Sequence, residues 1–156
     1  MPSFYLKNCI LAESVSIDER TNNASLFNLI EEVTVSRGQV EDFMEQTGAD
    51  ELLNIPLECE LLVILDRGQK EGDQLILSLF LEVESPSGKE VLASEIETRF
   101  PADTRRLRNT IQFDGIPINP EEAGDYKINI FSDDSKEDLL GETYFELKIE
   151  DLSSEE

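Results

Sequence analysis

Histidine and tryptophan are absent from this 156-residue chain, and cysteine and methionine occur twice each. Without histidine there is no Ser-His-Asp or Cys-His catalysis, and the usual histidine-ligated zinc sites are gone too. Two cysteines are too few for a four-cysteine structural metal site. The sequence also lacks a Walker-type phosphate loop, a Gly-x-Gly-x-x-Gly turn and a Gly-x-Ser-x-Gly elbow. The chemistry left would rest on carboxylates, lysine, tyrosine or hydroxyls, and no pattern of these marks a reaction. The expectation is a protein that is not an enzyme, with no catalytic residues, no cofactor and no assigned metal ligands.

Basic residues are the next scarcity. Thirteen Lys and Arg stand against 35 Asp and Glu, a formal net charge of −22. Such a field repels nucleic acid and anionic lipid, so neither is expected as a partner. Apolar runs of 18 or more residues are missing as well, which excludes a membrane-spanning helix. The opening MPSFYLKNCILAES has one early cation, Lys7, but no long apolar core or small-residue cleavage site, so it is not expected to be a leader. Cys9 and Cys59 lie in apolar strand-like surroundings, where cysteine behaves as a small buried hydrophobe. Nothing near Cys9 in sequence would activate its thiol. A reduced, cytoplasmic protein is expected, for which the acceptor pattern Asn23-Ala24-Ser25 has no use.

What the chain does have, from one end to the other, is alternation with a period of two. Cys59, Leu61, Val63 and Leu65 continue a series from Leu57, while Leu62 and Ile64 make the second half of that strand apolar on both faces, as in a covered central strand. Leu75, Leu77, Leu79, Leu81 and Val83 share another face. Strands are expected near 6–17, 24–35, 55–66, 74–84, 89–100, 106–114, 124–131 and 141–149, separated by turn-forming stretches such as DERTNN and SPSGK. Val40, Phe43 and Met44 sit at helical spacing before Gly48, which predicts at most one short helix near 39–47. The fold class is therefore all-β, with about eight antiparallel strands in a sandwich or barrel. One domain over 1–150 and an acidic, frayed tail over 151–156 complete the expected organisation.

Two resemblances follow from particular residues. Ala123-Gly124-Asp125-Tyr126, followed by alternating apolar residues, resembles the tyrosine corner of immunoglobulin-type sandwiches. That likeness implies that the all-β fold is an antiparallel, immunoglobulin-like, Greek-key β-sandwich and that Tyr126 is its structural corner residue. It departs from antibody-type domains, having no cysteine two residues after Tyr126 and no tryptophan. The opening CILAESVSIDERTNNASLFNLIEEVTV is similar to the first hairpin of a family of small bacterial all-β proteins of unassigned activity. This second likeness implies a fold and no function.

Two clusters are candidate sites. If consecutive strands alternate in direction, one end of the domain gathers the loops holding Asp18, Glu19, Asp66, Asp73, Asp103, Asp133, Asp134 and Asp138. Calcium takes oxygen ligands from flexible loops in this way, as in C2-type sandwiches. However, Arg20, Arg67, Lys70, Arg105 and Lys136 fall among the same loops and no loop has EF-hand spacing, so solvated turns are the plainer reading. The second cluster is Arg99, Arg105, Arg106 and Arg108, a basic stretch in an acidic chain that would dock an anion or a partner's carboxylate, or else pair with nearby acids. The leading functional expectation is a non-enzymatic protein-interaction module that binds another protein or a second copy of itself. A calcium-binding C2-like sandwich and a structural subunit of a larger assembly are the alternatives.

Overall fold

The computed structural model of the chain describes residues 4–18, 20–21, 23–47, 53–55, 58–68, 72–133 and 135–150. The alternating runs become strands whose apolar sides face inward. Leu61, Val63 and Leu65 meet Leu79, Leu81, Val83, Ile128, Ile130, Phe145 and Leu147 in one buried cluster. Burying each such side chain contributes on the order of 1.5–3 kcal/mol. In chain order the elements are β1 (Tyr5–Ile17), β2 (Ala24–Leu29), β3 (Glu32–Ser36), α1 (Arg37–Thr47), β4 (Leu53–Ile55) and β5 (Cys59–Asp66). They continue with β6 (Leu75–Glu84), β7 (Glu90–Phe100), β8 (Arg106–Phe113), β9 (Ile116–Ile118), β10 (Gly124–Phe131) and β11 (Leu139–Glu150).

Two large sheets enclose the core. One has four strands in the order β2-β1-β5-β8, the other five in the order β3-β11-β10-β6-β7, and β4 pairs with β9 in a short ribbon. The chain crosses between the large sheets after β2, between β3 and β5, after β5, after β7 and again before β10. The result is an all-β, immunoglobulin-like sandwich with a single short helix. That helix opens with a capping box: the Gln39 N–H donates to Ser36 Oγ (3.1 Å) and the Ser36 N–H to Gln39 Oε1 (2.9 Å). It starts two residues earlier than the apolar spacing predicts, because that spacing marks the buried face (Val40) and not the cap. Gly48, Leu57 and the tail 151–156 lie outside the described residues.

The expected strand 24–35 is two strands in different sheets. β2 runs antiparallel to β1, after which the chain reverses at Ile30–Glu31 and β3 joins the other sheet parallel to β11, so that sheet is mixed. Asn28 adopts φ 54°, a left-handed conformation that asparagine tolerates better than most residues. No Gly or Pro marks the break, so the run reads as one strand.

This reversal changes which loops share an end. Tyr5 pairs with Asp66, and Asp66 with Arg106. The β5–β6, β7–β8 and β10–β11 loops therefore lie together, while the β1–β2 loop lies at the opposite end. Asp18 is thus separated from Asp66, Asp73, Asp103, Asp133 and Asp138; Glu19 and Asp134 lie outside the described residues.

Candidate functional site

The basic stretch is organised around a carboxylate. Asp66, the last residue of β5, is fully buried and accepts hydrogen bonds from the Gly68 N–H (2.6 Å), Arg105 Nε (3.2 Å) and Arg106 Nε (3.0 Å). Burial opposes its charge, but the Gly68 amide and the two guanidiniums outweigh it and hold the pKa down to about 2. Arg67, next along the chain, is also buried. Its Nη atoms donate to the carbonyls of Asp73 (2.7 Å) and Pro101 (3.0 Å), and its guanidinium lies 4.9 Å from the Phe100 ring centre. Together these residues tie the β5–β6 loop to the β7–β8 connection. The sequence showed Asp66-Arg67-Gly68 only as a turn, and the burial of both charges is what it could not reveal.

The four arginines do not converge on one site. β7 and β8 are consecutive but belong to different sheets. Arg99 is exposed on the outward side of the five-stranded sheet, opposite Ile76. Arg106 and Arg108 point outward from the four-stranded sheet, opposite Asp66 and Ile64. Arg105 sits in the connection between the sheets.

Among the acidic loops, no group of three carboxylate or thiol residues within the described residues is placed to hold a metal ion. Their acceptors serve the protein instead: Asp18 Oδ1 takes the amides of Arg20 and Thr21, and Asp103 Oδ1 that of Gly72. The two thiols are held up by burial, Cys9 to about 12 and Cys59 to about 11. Cys9 is level with Val63 in β5, four residues along that strand from Cys59. At roughly 3.4 Å per residue the two lie too far apart for a disulfide.

Tyr126 is buried at the start of β10. Its hydroxyl accepts the Asn119 N–H (2.8 Å) and shares its proton between the carbonyls of Glu122 (2.8 Å) and Asn119 (3.0 Å). The ring stacks on Phe145 at 5.2 Å, and burial pushes the hydroxyl's pKa up. This is the geometry of a tyrosine corner. Glu122 extends it by accepting the Ser87 N–H (3.0 Å) and the Ser85 hydroxyl (3.1 Å), which fastens the corner to the β6–β7 turn.

The outward faces of the two large sheets differ sharply in chemistry. On the five-stranded sheet carboxylates stand in neighbouring register positions: Glu32 beside Glu146, and Glu82 and Glu84 on one strand. Lys136 bridges Glu82 and Glu90, while Asn129 Nδ2 donates to Glu84 (3.2 Å). Burial, and then the neighbouring Glu82, push the Glu84 carboxyl up.

The four-stranded sheet has little charge on its outward side. Ile10 and Leu62 are level with Thr110, and Leu29 and Ala12 are level with Glu60. Leu62 is 1% exposed, yet Phe27 and Leu29 on the edge strand β2 are 54% and 53% exposed. Tyr5, half exposed, flanks the Asp66–Arg106 pair. The sequence presented Phe27 and Leu29 as part of one long apolar strand, and only the split at Ile30 turns them outward.

No family model matches the chain, and no curated protein matches it. It is similar in fold to an immunoglobulin-like protein from Pseudomonas aeruginosa, with 15% identity and a TM-score of 0.41 over 94% of this chain and 97% of that one. It is also similar to part of a β-glucosidase involved in saponin metabolism from intestinal bacteria, with 8% identity and a TM-score of 0.47 over 94% of this chain but 16% of that one. These likenesses are of fold and bring no activity to this chain. Among the described residues, no helix is long and apolar enough to cross a membrane.

Proposed function

We propose that the domain is a non-catalytic module that binds another protein through the outward face of its four-stranded sheet. The observation that carries this reading is the pair Phe27 and Leu29, more than half exposed side by side on the edge strand β2, where Leu29 is level with the buried Ala12, on a protein of net charge −22. Large apolar side chains left in water next to one another mark an interaction surface more often than a resting one. Carboxylates over much of the remaining surface keep unrelated acidic proteins away. This face has few charges, and its Asp66 already neutralises part of the Arg105–Arg106 pair. The complementary partner surface is apolar at its centre, with a carboxylate to meet Arg108 at one margin.

Affinity capture on the immobilised domain from its native host, read by mass spectrometry, is the direct test. The expected result is a specifically retained protein that is released by a variant carrying Phe27→Asp and Leu29→Asp. Nothing retained above background, together with a monomer at every concentration in sedimentation, would remove the reading.

A further inference from the structure

The two sides of the sandwich are closed differently. On the β2/β3 side the chain itself passes from sheet to sheet at Ile30–Glu31, and Ile30, Val33 and Val35 are buried there. On the other side β7 and β8 are the last strands of their sheets, and residues 101–105 carry the chain from one to the other. Asn109 Nδ2 donates to Thr98 Oγ1 (2.9 Å) just below that connection. Beyond this bridge the sheets part, leaving a cleft of about 290 Å³. Leu92 and Ile96 of β7 form one wall, Ile111 and Phe113 of β8 the other, and Leu81 lies between them. The four wall residues are half-buried, although their neighbours on the same inner faces form the core.

Two features decide what would fill this cleft. First, among the described residues β7 and β8 have no further partner strand, so each presents main-chain donors and acceptors along the cleft. A volume at the lower limit of ligand pockets, rimmed by strand edges, suits the side chains of an extended peptide better than a compact small molecule. Second, the outward residues of β7 beside the cleft include Glu95 and Glu97, whereas those of β8 include Arg106 and Arg108. Two copies joined antiparallel through β7 about the cleft residue Ile96 would set Glu95 opposite Glu97 and leave the outward Arg99 opposite Ala93, which disfavours self-pairing in that register. A cationic strand on the same edge would meet opposite charge, and it would be drawn in by the net charge of −22.

We infer that the β7 edge is a strand-acceptor site for an extended peptide segment that alternates apolar residues with Lys or Arg. The apolar side chains enter the cleft between Ile96 and Phe113, the cations lie beside Glu95 and Glu97, and the peptide main chain continues the five-stranded sheet. This site is on a different surface from Phe27 and Leu29, so it stands or falls independently of the proposed function.

The probe is a capped peptide about nine residues long that alternates lysine with valine, titrated into the full chain by fluorescence anisotropy. Binding is expected to be at least about tenfold tighter than for a same-composition peptide with its valines clustered, and than for one with proline at its centre. Glu95→Lys with Glu97→Lys should weaken it by a similar factor, and so should Ile96→Asp, with thermal melts confirming that each variant folds. Phe27→Asp with Leu29→Asp should leave it unchanged. Equal affinity for the clustered and alternating peptides would show general attraction to an acidic surface and overturn the inference. No binding at about 1 mM peptide would overturn it as well.

Discussion

The outward faces of the two large sheets are built by the same alternation from the same acidic chain, yet they handle charge in different ways. On the five-stranded face, carboxylates lie side by side and are moderated by scattered partners: Lys136 between Glu82 and Glu90, Lys148 beside Glu32, and Asn129 against Glu84. On the four-stranded face, one buried carboxylate, Asp66, is fully matched by Arg105, Arg106 and the Gly68 amide. Much of what remains there is apolar or uncharged. The lesson is that net charge describes one surface of this protein and conceals the other. The face that departs from the average is where contact with another protein costs least desolvation of charge.

Four variants probe this contrast, from the largest expected effect on stability to the smallest. Asp66→Asn should cost about 2–3 kcal/mol in chemical denaturation, because two guanidiniums lose their charged acceptor. The same group sets an acid limit. Its folded pKa of about 2 lies below its ordinary value, so its stabilisation is complete above about pH 4 and fades as pH falls toward 2. Melts at stepped pH should show that slope in the wild type and a flatter one in Asp66→Asn.

Tyr126→Phe, which lies beneath both faces, should cost about 1–2 kcal/mol by leaving the Asn119 amide and a corner carbonyl unpaired. Because it touches neither outward face, it should leave partner binding intact, and it serves as the stability control. Glu84→Gln should raise stability by a few tenths of a kcal/mol at neutral pH, since it removes a charge from beside Glu82. That carboxyl is pushed up in the folded protein, so its unfavourable contribution disappears once it is protonated, and the gain should vanish below about pH 4. Phe27→Asp with Leu29→Asp should change stability by no more than about 0.5 kcal/mol, both side chains being more than half exposed.

The strands were legible wherever alternation was uninterrupted. The expected 124–131 coincides with β10, and most other boundaries shift by only one or two residues. The corner at Tyr126 was legible because glycine and tyrosine occupy fixed positions around a turn. The break at Ile30 was hidden because ASLFNLIEEVTV keeps its apolar content while the chain changes sheet, and the only local signal is an asparagine able to take positive φ. Missing that one reversal placed the Asp18 loop at the wrong end and left Phe27 and Leu29 within a single expected strand, 24–35. The arginine stretch misled differently: residues close in sequence were divided between two outward faces, because residues 101–105 cross from one sheet to the other.

The most direct test of the central claim sets matched variants of the two faces against each other in one capture experiment. Phe27→Asp with Leu29→Asp alters the four-stranded face, and Ile76→Asp with Tyr144→Asp makes the equivalent change on exposed apolar residues of the five-stranded face. The account predicts that the protein retained by the wild type is lost from the first variant and kept by the second, with both variants folded. Equal retention by both, or loss from the second alone, would contradict it.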